Sequence, residues 1–366
     1  MMSSRLKFGI CAWSRWGDAI VDRPDTVDEL IVANIVHHLR FNLGVERVAY
    51  LQHVDDDAPV FSAETADIRR EAWMSFDFID DNDVCPDLDV VFCRWRWDIG
   101  VKDDPRLKMQ QRMLARYCNT KTRILIWDDD FQMTNEERGL LKSYDNVTFV
   151  ETSETARAGN AAGLVYVPYP IAMPDVDDIV ARVLPPPACG HGDHLDPNMR
   201  VAYVGNNYKR AEFIGKLLGI ELQRHPMRTH FYGNWAKYDN DAQLIWPDAV
   251  FHPKVARTML NWVYQHATCV PMLAKDVYFK RGHITPRTYE VVVAGGIPVG
   301  FTEFSGVERY YPQQLIARDA VSFTYIVDEL DALSFDDRKR IVRAQAEKLI
   351  EERIFDVPLF FEQIGL

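Results

Sequence analysis

No run of about 18 uncharged apolar residues occurs in the 366-residue chain, so no membrane-spanning helix is expected. The first residues, Met1-Met-Ser-Ser-Arg-Leu-Lys7, contain no apolar signal-peptide centre and lead straight into a strand-like Phe8-Gly-Ile-Cys11. A cytoplasmic location is therefore the expectation. Cysteine is sparse: Cys11, Cys85, Cys93, Cys118, Cys189 and Cys269 are scattered, several of them inside apolar runs. That argues against a disulfide framework and fits reduced, mostly buried thiols. Positive charge is in deficit, with 42 Lys and Arg against 54 Asp and Glu, a formal net charge of −12. This argues against a protein that binds nucleic acid merely by being basic, because non-specific affinity comes from neutralised phosphates. A locally basic cleft is not excluded, since local fields outweigh the sum. Internal repeats, low-complexity tracts and a G-x-G-x-x-G fingerprint are all missing.

What is present is a long alternation of strands and helices. Residues 6–12, 47–53, 88–93, 124–127, 147–151 and 164–167 read as apolar strands, with helices over 24–43 (Asp25 as its cap) and 105–118. The acidic runs Asp55-Asp-Asp57 and Asp80-Asp-Asn-Asp83 read as solvated loop. Pro174, Pro185-Pro-Pro187, Gly190, Gly192 and Pro197 mark residues 172–199 as an inter-domain connection. Within it, Cys189, His191 and His194 offer three metal ligands, but their spacing fits no zinc motif and a loop is favoured. A second series follows, with strands over 199–205, 229–232, 250–251, 269–273 and 297–299. Helices are expected over 211–218, 285–294, 335–354 and 358–364. Two α/β domains with parallel sheets and a ligand held between them are the expectation.

One stretch organises the second half: His283-Ile-Thr-Pro-Arg-Thr-Tyr-Glu290 followed by Gly295-Gly-Ile-Pro298. Thr285 as cap and Pro286 at the first helical position are start signals, and the paired glycines are the stop. A helix so placed points its free N–H groups and positive dipole end at an anion such as phosphate. Arg287 and Glu290 share one face near that end. The guanidinium can fork a phosphate and the carboxylate can accept two ribose hydroxyls. Spacing alone leaves a surface ion pair equally open.

Ligands of open parallel sheets sit at the carboxyl ends of the strands. In the first half those ends carry Trp13-Ser-Arg15-Trp16, Arg94-Trp95-Arg96-Trp97 and Trp127-Asp128-Asp129-Asp130. Indoles with arginines suit stacking plus phosphate contact; packing of the indoles and pairing of the arginines with acids is the competing reading. An Asp of the cluster could take a proton from an attacking hydroxyl, bind a divalent metal, or cap the next helix. In the second half the ends carry Gly205-Asn206-Asn-Tyr-Lys209-Arg210, Gly233-Asn234 and Phe251-His252-Pro253. These offer a phosphate turn, with Tyr232, Phe251 and the backbone around His252 as a flat base pocket; His252 and His283 rank second.

Together these positions resemble the DNA β-glucosyltransferase family of the T-even phages, enzymes of the GT-B fold. The likeness is collinear over most of the chain. It rests on Tyr203-Val-Gly-Asn-Asn-Tyr-Lys-Arg210, Phe231-Tyr-Gly-Asn234, Val250-Phe251, Asp276 eleven residues ahead of Arg287, and Glu290. In the first half it rests on residues 105–130 and on Tyr166-Val-Pro-Tyr-Pro-Ile171. The resemblance implies a donor site of Gly205, Asn206, Lys209, Arg210, Gly233, Phe251, His252, Asp276, Arg287 and Glu290. In it Glu290 holds the ribose, Arg287 and Arg210 grip the phosphates, and Asp276 touches the sugar. It implies a catalytic base among Asp128, Asp129 and Asp130, and leaves Trp13, Arg15, Trp16, Arg94, Trp95, Arg96 and Trp97 as the acceptor platform. The family's two-arginine phosphate turn is here a shorter turn with Tyr208, Lys209 and Arg210, and its arginine after the catalytic Asp falls on Phe131-Gln132.

The expected protein is thus α/β with two Rossmann-like, doubly wound domains facing across a cleft. Residues 1–171 would bind the acceptor, 172–199 link, 200–345 bind the nucleotide sugar, and 346–366 form helices packing back on the first domain. The expected reaction is inverting transfer from a UDP-sugar, UDP-glucose in the first instance, to the hydroxyl of a hydroxymethylated pyrimidine in phage DNA after base flipping. Mg2+ or Mn2+ is a candidate companion ion, and the compartment would be the host cytoplasm. A saccharide or small-molecule acceptor, a non-catalytic module binding nucleotide sugar or DNA, and a nucleotide-sugar epimerase are the alternatives.

Overall fold

The structure, a computed structural model, describes residues 6–12, 27–45, 48–52, 71–75, 87–95, 114–129, 131, 133–159, 163–185, 199–206, 210–235 and 242–366. The chain divides into two compact units, 1–171 with 357–366 and 172–356. Each has its own parallel sheet.

In the first unit, strand β1 (Phe8–Ala12) leads to helix α1 (Val27–Phe41), then β2 (Val48–Gln52), β3 (Glu71–Ser75), β4 (Val90–Arg94) and β5 (Arg123–Trp127). Helix α2 (Asn135–Lys142), β6 (Val147–Glu151), α3 (Glu154–Arg157) and β7 (Leu164–Tyr166) follow. The seven strands lie in the order β3-β2-β1-β4-β5-β6-β7, every pairing parallel. Residues 90–94 are buried throughout, as unbroken apolar strands are when helices cover both faces. The order reverses between β1 and β4, which makes the ends of these two strands the place for a crevice. Strand β3 lies between the two acidic runs, where no strand was expected; at a sheet edge a strand needs no long apolar run.

The second unit contains α4 (Val176–Val180), β8 (Val201–Val204), α5 (Ala211–Arg224), β9 (Thr229–Tyr232), α6 (Ala242–Ile245), β10 (Val250–His252) and α7 (Arg257–His266). It continues with β11 (Val270–Pro271), α8 (Asp276–Arg281), α9 (Arg287–Val293), β12 (Pro298–Phe301), β13 (Ile316–Ala317), α10 (Ala320–Asp331) and α11 (Phe335–Glu351). Strands β10-β9-β8 and β11-β12-β13 are parallel sets. Backbone bonds from Cys269 to Arg200 (3.0 Å) and from Ala202 to Cys269 (3.2 Å) join them across β8 and β11. The reversal therefore falls between β8 and β11.

Two boundaries differ from the sequence expectation. Residues 172–185 are bonded into the second unit: Tyr289 donates to the Ala172 carbonyl at 3.2 Å and Gln265 to that of Arg182 at 3.0 Å. Residues 186–198, with Cys189, His191 and His194, lie outside the described residues. Of the expected closing segment 346–366, residues 346–356 group with the second unit, and only the closing helix, α12 (Val357–Gln363), and the residues after it belong to the first. There Phe360 meets Phe92 edge-on at 5.6 Å, Phe361 stacks on His38 at 4.4 Å, and Arg123 donates to the Ile364 carbonyl. No described helix is long and apolar enough to cross a membrane.

The second unit is clamped by one buried cation. Arg200, just ahead of β8, bonds Glu221 of α5 at 2.6 Å and Asp331 and Asp328 of α10 at 2.8 Å and 2.5 Å. Glu221 is 0% exposed, so its charge is tolerated only while Arg200 is present. Arg200→Met should therefore cost about 3 kcal/mol in urea unfolding, and adding Glu221→Leu should recover part of it because no orphan charge remains. A double variant less stable than the single would refute this account.

Candidate functional site

At the carboxyl end of β8 the chain turns through Gly205, whose φ of +153° suits glycine. A Cβ there would lie 2.8 Å from Arg287 Nη2, 2.9 Å from Tyr203 Oη and 3.0 Å from Arg210 Nη1. Three long side chains thus converge on a point that only glycine leaves open. Gly233, at the end of β9 with φ +145°, is held as tightly, since its Cβ would fall 2.4 Å from the Gly205 carbonyl oxygen. Asn206 Oδ1 accepts from the Asn234 N–H at 2.9 Å and ties the two turns together.

The two arginines are fixed by different means. Arg287 donates through Nη1 to Tyr203 Oη and to the Leu273 carbonyl, both at 3.3 Å. Arg210, 6% exposed, donates to the Asn206 carbonyl at 2.8 Å. Their guanidiniums lie over the same Tyr203 ring, at 5.0 Å and 5.7 Å from its centroid. Two like charges gathered so closely repel, by on the order of 3 kcal/mol for unit charges about 6 Å apart at a protein-like dielectric. Burial works against the Arg287 cation, yet Tyr203, Tyr264 and Glu290 outweigh it and raise its pKa. One turn on, Glu290 accepts from Tyr264 Oη at 3.5 Å. Burial, and then the Glu290 charge, push the Tyr264 phenol well up, which keeps it a donor. The arrangement is an anion grip beside a carboxylate that can accept hydroxyls.

Helix α9 departs from the sequence expectation in detail. It starts at Arg287 with Pro286 in helical geometry and no side-chain cap, so Thr285 does not cap it. It is seven residues long, so the guanidinium rather than a macrodipole carries the positive charge. Asp276, expected at the sugar, opens α8 with its side chain 58% exposed and pairs with Lys280 at 2.5 Å. The flat base pocket is also different. Strand pleating sends Phe251 to the face of Tyr203, Phe231 and Trp235, stacked on Phe231 at 5.0 Å. Tyr232 and His252 stack at 4.3 Å on the opposite face. His283 is buried, its ring edge-on to Tyr278 at 5.0 Å. Lys209 lies outside the described residues.

In the first unit, Arg94 at the end of β4 bonds Asp129 at the end of β5 through Nε (3.1 Å) and Nη2 (2.5 Å) and covers the Trp127 ring at 5.4 Å. Asp128 accepts from the Met133 N–H at 3.1 Å and from Arg138 at 3.2 Å, which commits it to the turn into α2. Trp95, expected on a stacking platform, is 1% exposed and packs in the core with Leu114, Tyr117 and Met133. An indole at the first position past a strand is drawn into the core by the apolar area it removes from water. Trp13, Arg15, Trp16, Arg96, Trp97 and Asp130 lie outside the described residues. Among the described residues no group of three His, Cys, Asp or Glu could hold a metal, and Asp128 and Asp129 already meet cations. Sequence reasoning gave no role to Tyr203 or Tyr264. The first stood in view as the residue two before a strand-end glycine; for the second no local pattern pointed to the site.

Beside this grip, His230 Nδ1 and His252 Nε2 are 3.0 Å apart, a hydrogen bond that requires one neutral acceptor nitrogen. Burial holds His252 below its ordinary 6.5. The folded chain therefore takes up this proton later than the unfolded one. The stability it supplies is present above pH 6.5 and falls as pH drops from there through the folded value. His252→Phe should flatten the loss of stability between neutral pH and about pH 5 relative to wild type; an unchanged slope would refute it.

No protein-family model matches the chain and no curated protein matches its sequence significantly. Solved structures do match over its whole length. T4 phage β-glucosyltransferase aligns over 99% of this chain and 100% of its own at 15% identity and a TM-score of 0.58. The same enzyme in complex with UDP and Mn2+ aligns at 16% identity and a TM-score of 0.61, with the same coverage. An α-glucosyltransferase in complex with UDP and a 13-mer DNA containing an HMU base aligns over 99% of both chains at 10% identity and 0.56. Two Rossmann-like parallel-sheet units in one chain, in the GT-B fold of these glucosyltransferases, are what this sequence forms.

Proposed function

We propose that the protein is a UDP-sugar-dependent glycosyltransferase whose acceptor is the hydroxyl of a hydroxymethylated pyrimidine in DNA. The observation that carries the donor half is the convergence of Arg287, Arg210 and Tyr203 on Gly205 at the switch point of the second sheet. Two guanidiniums gathered at a strand end suit a diphosphate, which relieves their repulsion and accepts their forks. Glu290, one helical turn away, accepts the ribose hydroxyls. As the glycosidic bond breaks, charge builds on the diphosphate leaving group, and the two arginines meet it. Like fold in enzymes crystallised with UDP supports this reading.

For the acceptor half, a carboxylate of the Asp cluster takes the hydroxyl proton as oxygen attacks the anomeric carbon from the face opposite the diphosphate, giving inversion. Both described aspartates are paired, but Asp128 closes the turn into α2 through the Met133 N–H and Arg138, whereas both Arg94 bonds to Asp129 fall on one oxygen, Oδ2; Asp129 is favoured on that ground, and Asp130 remains the other candidate. A target base inside a duplex must be flipped out to be reached. The formal charge of −12 favours a second reading in which the acceptor is a saccharide or small molecule.

UDP release from UDP-glucose should rise with hydroxymethylcytosine or hydroxymethyluracil DNA and stay at background with unmodified DNA. Release that follows sugars instead would establish the second reading, and UDP binding without any release a binding module. Asp129→Asn should lower kcat by at least about a hundredfold and Asp128→Asn mainly lower stability. Full turnover in Asp129→Asn would move the base to Asp130. Arg287→Ala should raise the Kd for UDP at least about tenfold, roughly 1.4 kcal/mol; an unchanged titration would remove Arg287 from the donor site.

A further inference from the structure

The geometry points to Tyr203 as the positioning residue that sets how the two arginines receive a diphosphate, an inference that rests on the donor-site reading above. Tyr203 is fully buried on β8, with its ring against Phe231 and Trp235 and its hydroxyl at the strand-end turn. Among the described residues it is the one side chain over which both guanidiniums lie. Its hydroxyl accepts from Arg287 at 3.3 Å and donates to the Leu273 carbonyl at 3.5 Å. That links the ends of β8 and β11, the two strands flanking the switch point.

The chemistry explains why a phenol suits this place. A carboxylate between the arginines would hold them, but it would also neutralise them and compete with phosphate for their N–H groups. A phenol orients both cations through its ring face and one acceptor oxygen while leaving their charge for the ligand. Arginine carries large rotamer entropy, so prior fixation lowers what binding must spend on ordering it. Gly205 completes the device, since any side chain there would occupy the point where the three groups meet.

The test separates orientation of phosphate from packing. Tyr203→Phe keeps the ring and removes the hydroxyl. Titration of wild type and variant with UDP and with uridine should show UDP affinity reduced about tenfold, the loss expected for a hydrogen bond to a charged group, with uridine affinity unchanged. The thermal midpoint without ligand should stay close to wild type. Tyr203→Leu, which also removes the ring, should widen the UDP loss further without affecting uridine. Equal losses for UDP and uridine would make Tyr203 merely structural, and unchanged UDP affinity in Tyr203→Phe would overturn the role outright. If wild type binds neither ligand, the donor-site reading itself falls and the inference with it. If wild type binds UDP and the variant matches it, only the role of Tyr203 is lost.

Discussion

Arg210 and Arg287 are like charges that the second unit brings together at one point, and much of that unit can be understood as the means of keeping them there. The parallel order β10-β9-β8-β11 places Tyr203 and Leu273 at adjacent strand ends. The ring of the first lies under both guanidiniums, and the carbonyl of the second accepts from that of Arg287. Gly205 and Gly233 are needed because the backbone must pass so close to these groups that a methyl would strike them. Behind the sheet, Arg200 locks α5 and α10 to β8 through three carboxylates. The distant ion network is therefore part of what steadies the site, by fixing the strand on which Tyr203 stands.

The first unit shows the opposite electrostatic arrangement. Its aspartates at the end of β5 are each met by an arginine, Asp129 by Arg94 and Asp128 by Arg138. Both carboxylates are nearly excluded from solvent, and an unpaired charge so placed would cost several kcal/mol. Arg94 reaches Asp129 with two nitrogens on one oxygen, which orients the carboxylate and leaves its plane defined. Under the proposed function, that orientation would matter as much as basicity for a group receiving a proton along one direction.

Periodicity and strand-end glycines made most of this legible in the sequence. Apolar runs such as Val90-Val-Phe-Cys93 announce buried parallel strands, and Gly205 and Gly233 announce the turns that follow them. That Arg287 and Glu290 share a helix, three residues apart, is readable from a Pro start and a Gly-Gly stop. What the pattern could not carry is side-chain direction at a strand end. Trp95 and Arg94 are neighbours with the same apparent promise, yet one enters the core and the other pairs with Asp129. Phe251 and His252 are likewise adjacent and face opposite ways. Asp276 shows a further limit: its distance along the chain ahead of Arg287 does not disclose that its side chain is exposed and paired with Lys280 one turn on. The edge strand β3 and the partners Tyr203 and Tyr264 escape because their placement depends on tertiary contacts that leave no period.

The formal charge of −12 and a site built of gathered cations are compatible once distance is considered. At physiological ionic strength exposed charges are screened beyond about 8 Å, so remote acids weigh little on a partly buried pair of guanidiniums. A small anion reaching that pair meets the local field, and the net charge scarcely matters to it. A long polyanion differs, because it samples the whole surface and gains little from long-range attraction to an acidic protein. If the acceptor is DNA, its affinity must come from short-range contacts with a flipped nucleotide and adjacent phosphates rather than from a broad basic face. Those contacts would have to be made by strand-end arginines of the first unit. Arg94 is not free to make one, since its fork is spent on Asp129. Under the proposed function, acceptor recognition would then rest on the segments that follow β1 and β4, which lie, Trp95 apart, outside the described residues, and on how many of their cations the neighbouring carboxylates leave for a ligand.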